Sequence, residues 1–187
     1  HYREKGPVEA TVQEYLLLVA KLRAANVDGS VSLKPTQLGI LIDREFALSQ
    51  MVPILDAVKA WGRELWLDME AGATVDDTLW VYEELLRRYE RVGVCLQANL
   101  RRTATDLDRL LPEDARIRLV KGAYRETADV AYMTRPEIDR EYLRHLETLF
   151  ARAEEFQVAS HDGRMVDRAL ELAAKRSVPF EFAMLQG

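Results

Sequence analysis

The sequence holds one cysteine, Cys95, inside the apolar run Val94-Cys95-Leu96, so no internal disulfide can form and the thiol reads as a small core residue. Its three histidines, His1, His145 and His161, are scattered, and only His161 falls at a strand end, so no zinc-type ligand set is legible. No apolar run approaches the ~20 residues of a membrane span; the longest, Tyr15 to Ala20, is far shorter. A positively charged leader with a hydrophobic segment and cleavage site is also missing. Without an initiator methionine before His1, and with Gly187 directly after a strand-like run, both ends read as cut. The net charge of −5, with no basic patch interleaved with aromatics, argues against a nucleic-acid partner. Neither the dinucleotide fingerprint Gly-x-Gly-x-x-Gly nor the phosphate loop Gly-x-x-x-x-Gly-Lys-Ser/Thr occurs. What remains is a cytosolic, disulfide-free globular domain, expected to span residues 1–187 without an internal linker.

Against these absences stands a regular alternation of helical and strand-like patterns. Val8, Val12, Tyr15, Val19 and Leu22 recur at helical spacing over 7–25, and Val31 to Lys34 is a short strand stopped by Pro35. Residues 44–61 read as helix, with Asp43 as N-cap and Pro53 marking a kink or restart. Strands are expected at 64–69, 92–97, 116–120, 156–161 and 179–185. Thr74 with Asp77, and Thr103 with Asp106, resemble capping boxes opening helices. Pro136 starts a further helix, and Asp162 caps one running to about Lys175. The tryptophans Trp61, Trp66 and Trp80 are expected in the core. Six strands joined by helical crossovers mean a parallel sheet covered by helices. With the open-sheet fingerprints missing, a (β/α)8 TIM-type barrel is favoured, present as a partial barrel.

The segment Ile117-Arg118-Leu119-Val120-Lys121-Gly122-Ala123-Tyr124 is the centre of that pattern. It runs as an apolar strand into a glycine, which permits positive φ or a close approach of backbone to ligand. Arg118 and Lys121 flank the exit, and a buried cation needs either a protein carboxylate or an anionic ligand. Nearly every other strand also ends in a polar residue: Lys34, Asp68, Gln97, Ser160 with His161, and Gln186 beyond the last. In a barrel those ends share one face, where catalytic and binding residues collect. Blander readings stand beside this one. Lys34 and Asp68 could simply pair with each other, Gln97 could be a satisfied core amide, and Asp162 is better used as a helix cap than in a Ser/His/Asp relay. The inventory of three cations and one strong carboxylate suits an anionic substrate with a phosphate-bearing cofactor. It leaves open a flavin enzyme or an aldolase using Lys34 or Lys121 as a Schiff base.

Ser32-Leu33-Lys34-Pro35-Thr36-Gln37-Leu38-Gly39, Leu67-Asp68-Met69-Glu70, Leu96-Gln97-Ala98, Ile117 to Tyr124, Ala159-Ser160-His161 and Glu181-Phe182-x-Met184-Leu185-x-Gly187 occur in this order. Together they resemble the proline dehydrogenase family of flavin-dependent (β/α)8 barrels. Aligned so, the strands correspond to barrel strands two to seven; the first strand would precede His1, and the C-terminal strand and arginine-bearing helix would follow Gly187. The resemblance implies oxidation of L-proline to 1-pyrroline-5-carboxylate, with FAD as cofactor and a quinone as electron acceptor. It implies a cytoplasmic protein, peripheral at the inner face of the membrane. Asp68 and Arg118 match catalytic positions, with Asp68 orienting cationic neighbours and Arg118 near the flavin N5. Lys34 matches the lysine that holds the substrate carboxylate, while Leu185 and Tyr124 match the proline pocket. Met69, Gln97, Lys121, Gly122, Ala123, Ser160 and His161 match positions that contact FAD. Asn99, Asp162 and Ala183 depart from the family pattern, which has tyrosine, asparagine and glutamine there. The alternative is a truncated, non-catalytic barrel fragment that binds flavin weakly or self-associates.

Overall fold

Helical and strand-like stretches alternate because apolar residues recur at helical spacing in one set and in short continuous runs in the other. The computed structural model describes residues 2–185. His1, Gln186 and Gly187 lie outside the described residues, and with them the reading of Gln186 as a strand-end group. The elements run α1 (Lys5–Ala24), β1 (Val31–Leu33), α2 (Arg44–Trp61), β2 (Leu65–Leu67), α3 (Val75–Leu86) and β3 (Val92–Gln97), then α4 (Thr103–Leu110), β4 (Arg116–Val120), α5 (Arg135–Arg152), β5 (Phe156–Ala159), α6 (Gly163–Ala173) and β6 (Phe180–Phe182). The chain packs as two compact units, one ending at Val94 and one beginning at Cys95. The division falls inside β3. No helix among the described residues is long and apolar enough to cross a membrane.

In the first unit, β1, β2 and the start of β3 pair in parallel, with Val31, Leu65 and Val92 in lateral register. All three residues of β2 are buried. Asp43 caps α2, its Oδ1 accepting the Phe46 N–H at 2.8 Å. The expected restart at Pro53 does not occur, since α2 runs unbroken through it. Met51, Ile54, Leu55 and Val58 are all fully buried. That burial on either side of Pro53 outweighs its missing N–H, because most helix stability in proteins comes from packing. Of the three tryptophans only Trp66 is fully buried. Trp61 and Trp80 are half-buried, with Arg63 and Arg44 over their rings at 5.7 and 4.6 Å. Gly93 stands beside Trp66 in the register, and a Cβ there would lie 2.4 Å from the indole. Gly93→Ala is therefore expected to cost about 1–3 kcal/mol by overpacking, read as a lower urea midpoint with an unchanged m-value.

In the second unit, β4, β5 and β6 are parallel and in register, giving the rows Ile117–Phe156–Phe180 and Arg118–Gln157–Glu181. Phe150 of α5 meets Phe156 and Phe180 edge-on, at 4.9 and 5.3 Å between ring centroids. The phenylalanine row therefore faces the covering helix. Strand alternation then puts Arg118, Gln157 and Glu181 on the opposite face.

Neither expected capping box forms. Thr74 has φ −104° and ψ 0°, and its hydroxyl turns back to the Ala71 carbonyl at 2.9 Å. An N-cap oxygen reaches the first helical amides from extended backbone, which Thr74 lacks. Thr103 lies within α4, donates to the Gln97 carbonyl, and leaves Asp106 to pair with Arg102 at 2.8 Å. The box that does form opens α5, where Glu137 accepts from both the N–H and the hydroxyl of Thr134. Strands β2, β5 and β6 are shorter than the sequence reading, because Asp68, Ser160, His161 and the residues after Phe182 have already left the regular ladder.

Candidate functional site

Strand β1 stops at Leu33 because Pro35 cannot donate to a ladder. Lys34 follows in extended conformation, and Pro35–Gln37 close a 3-10 turn. The neighbouring β2 exit runs alongside, with the Asp68 N–H donating to the Leu33 carbonyl at 2.9 Å. Lys34 Nζ meets Asp68 Oδ2 at 2.8 Å, with the two side chains 49% and 25% exposed. Pairing of these two was one of the open readings, and it is what the structure shows. A pair this open contributes at most about 1 kcal/mol of stability. It is poorly explained as a structural tie and leaves the ammonium accessible to an anion. Behind it Met69 is buried. So is Glu70, which accepts both the Thr36 N–H and the Thr36 hydroxyl, each at 2.8 Å. Burial raises the pKa of the Tyr15 phenol, as do the nearby Asp68 and Glu70 carboxylates, while Lys34 lowers it.

In the second unit the two cations at the β4 exit are answered differently. Lys121 Nζ is held by Asp139 at 2.5 Å and by Asp162 at 2.7 Å. Arg164 pairs with both of the same carboxylates. Hydrogen bonds from Arg164 and Lys121 hold the Asp162 carboxyl far below its usual range. Asp139 is pushed up by burial, but Lys121 and Arg164 outweigh that and leave it lowered. Two cations and two carboxylates thus form a balanced cluster joining the β4 exit to α5 and α6. Asp162 also caps α6, its Oδ1 accepting the Arg164 N–H at 3.1 Å, so the cap expected from sequence forms.

Arg118 has a different setting. Its Nε donates to Gln157 Oε1 at 2.7 Å, and Gln157 Nε2 donates on to Glu181 Oε2 at 3.0 Å. Its Nη1 lies 3.9 Å from the buried Cys95 thiol. This lateral relay follows the strand register, so three strands fix the plane of one guanidinium.

The remaining predicted positions gather around the same strand ends. Gln97 is buried at the end of β3. Gly122 has φ +106°, and a Cβ on it would stand 2.0 Å from the Asn99 side-chain oxygen, so only glycine fits beside that amide. Asn99 is itself buried, and its side-chain oxygen has no hydrogen-bond partner. Ser160 Oγ accepts the Asp162 N–H at 3.1 Å, and His161 Nε2 accepts the Leu185 N–H at 2.9 Å. Tyr124 is half-buried, while Ala123 and Leu185 are exposed. Among the described residues no group of three or more His, Cys, Asp or Glu could hold a metal ion.

Sequence reasoning gave no site role to Gln157, Glu181, Glu70, Asp139 or Tyr15. For the first two a signal was available. Phe156-Gln157-Val158 and Phe180-Glu181-Phe182 place a polar residue at the same phase as Arg118 in Ile117-Arg118-Leu119. Asp139 and Tyr15 lie on helices, and which strand end a helical side chain meets is not written in its own periodicity.

A family profile described as "Proline dehydrogenase" matches residues 3–187. Proline dehydrogenase 2 of Bacillus subtilis strain 168 is 32% identical over 178 residues, covering 94% of this chain and 59% of the relative. The proline dehydrogenase of Deinococcus radiodurans is 32% identical over 195 residues, covering 97% and 62% respectively. The chain therefore spans about three-fifths of the length of these curated relatives. Among solved structures, proline utilization A from Bdellovibrio bacteriovorus superposes with a TM-score of 0.85 at 23% identity, over 96% of this chain and 24% of that one. The Bradyrhizobium japonicum protein of the same name gives 0.83 at 20% identity, over 99% and 23%. These likenesses show the fold, a parallel α/β arrangement of the (β/α)8 type present as a partial barrel.

Proposed function

We propose, since the chain belongs to the proline dehydrogenase family, that the protein it comes from oxidises L-proline to 1-pyrroline-5-carboxylate. The observation that carries this reading is the open Lys34–Asp68 pair at the β1 exit. It is a cation accessible to a small carboxylate and oriented by a neighbour that adds little to stability. Lys34 takes the substrate carboxylate as a point charge, and Asp68 keeps the ammonium aimed when the site is empty. Tyr124 and Leu185 are proposed, on the family likeness alone, for the apolar ring.

The family implies a flavin cofactor, and FAD is the form proposed. Its fit rests on the donor set along and just beyond β3, β4 and β5. Arg118, Gln97, Gln157 and Ser160 present guanidinium, amide and hydroxyl groups, with Gly122, Ala123 and His161 just beyond β4 and β5; Met69 is proposed as a flavin contact on the family likeness alone. Such donors suit a ring edge of nitrogen and oxygen acceptors and a phosphate chain. Lys121, balanced by Asp139 and Asp162, holds the backbone of that exit more than it adds net charge. When bound, the flavin supplies the two-electron acceptor that no side chain can. Arg118, fixed in plane by Gln157, stabilises negative charge as it develops on the acceptor. A quinone is the proposed onward acceptor. The proposed location is the cytoplasm, with peripheral contact at the inner face of the membrane.

Anaerobic addition of proline to the flavin-loaded, full-length protein is expected to bleach the flavin absorbance, with 1-pyrroline-5-carboxylate formed in equal amount. Absence of bleaching at high proline would overturn the reading. A lysine adduct trapped by borohydride with a keto substrate would replace it with Schiff-base chemistry.

A further inference from the structure

The β1 and β2 exits are joined by two rungs of opposite character. The outer rung, Lys34–Asp68, is half-open to water. The inner rung, two residues further along both segments, is Thr36–Glu70, and both of its residues are only 2% exposed. There the Glu70 carboxylate accepts Thr36 N–H and Thr36 Oγ–H at 2.8 Å each. A buried carboxylate is a poor way to add stability, since apolar residues of similar size usually serve as well or better. What it does well is hold one geometry, because two donors fix both of its oxygens.

The residue between strand and turn is Lys34. On its far side the Gln37 N–H donates to the Lys34 carbonyl at 2.9 Å, closing the 3-10 turn that Thr36 anchors. On its near side Leu33, the last residue of β1, accepts the Asp68 N–H at 2.9 Å. The lysine backbone is thus held before, at and after the residue whose ammonium is left accessible.

We propose that Glu70, through Thr36, is a positioning residue that aims the Lys34 ammonium at the substrate carboxylate. This rests on the role proposed for Lys34. Glu70 is assigned no contact with substrate or cofactor; it sets where the cation stands. Losing the inner rung frees the turn, and Lys34 then samples positions in which it pairs with Asp68 but not with substrate.

The test uses Thr36→Val, Thr36→Ser and Glu70→Gln in the full-length, flavin-loaded protein. Thr36→Val is expected to raise KM for proline about tenfold, the factor carried by one hydrogen bond to a charged group, with kcat within about twofold, as loss of uniform binding predicts. Thr36→Ser keeps both bonds to Glu70 and is expected to behave as the parent. An unchanged KM in Thr36→Val, with the parent turning over proline, overturns the proposal. Amide hydrogen exchange over residues 34–37 gives a readout independent of turnover. Thr36→Val and Glu70→Gln are expected to speed it about tenfold or more, while Thr36→Ser leaves it unchanged. A parent without proline oxidation would defeat the proposed function alone, and exchange would still report the clamp. Unchanged exchange in both variants overturns the clamp whatever the activity.

Discussion

Replacing Arg118 by methionine in the full-length protein is expected to lower kcat for proline oxidation about 100-fold or more, the usual effect of removing one preorganised group that stabilises developing charge. The substitution keeps the length of the side chain along the strand and removes the planar cation. Gln157 Oε1 then loses the donor it has at 2.7 Å, while its amide still bonds Glu181. The Ile117–Phe156–Phe180 row on the helix-covered face is untouched, so the fold is expected to survive. KM for proline should change far less than kcat, because the substrate carboxylate is proposed to go to Lys34. Rapid-mixing measurement of flavin reduction at saturating proline separates the two quantities. A kcat within tenfold of the parent would remove Arg118 from the role proposed for it. Arg118→Lys restores charge but not the fork that Gln157 orients, and is expected to recover only part of the loss.

Acidification from about pH 6.5 to about pH 4 is expected to destabilise the fold by up to about 3 kcal/mol through one residue, His145 of α5. The imidazole is 2% exposed. Burial pushes its pKa from 6.5 down to about 4, with Glu141 pulling it up and Arg144 pushing it further down. In the unfolded chain the same group protonates near its ordinary value. Between the two values the unfolded state holds a proton that the folded state does not. The stability from the neutral, buried imidazole is therefore complete above about pH 6.5 and is lost as pH falls towards 4. The lowered carboxyls of Asp139 and Asp162 act in a different window. Their contribution is present above the ordinary carboxylate pKa and is lost only at lower pH, as the depressed folded-state values are approached. Urea midpoints measured across pH 4–7 are expected to fall with acid in the parent and to stay nearly level in His145→Gln. The same slope in both proteins would place the acid sensitivity elsewhere.

Much of the secondary structure was legible because it is local. β3 and β4 fall on the residues expected from their apolar runs, and Asp43 and Asp162 cap the helices that their positions announce. Thr74 and Thr103 misled because a capping box is a backbone conformation as well as a spacing. The same Thr-x-x-acid pattern is met by threonines already in helical geometry. Pro53 misled for the complementary reason, since a local penalty can be outweighed by burial on both sides of it.

The sequence alone determined that strands alternate with helices, and that chemistry-bearing residues stand at strand exits. Both follow from short-range preferences and from the period of two along a strand. Only the tertiary structure decided which partner each of those residues takes. It assigned Lys121 to two carboxylates on α5 and at the α6 cap, Arg118 to an amide one strand away, and Lys34 to a half-buried aspartate with the buried Thr36–Glu70 pair behind it. The physical reason is that a charge's partner is set by register and helix placement across tens of residues. Patterns within one element do not record that.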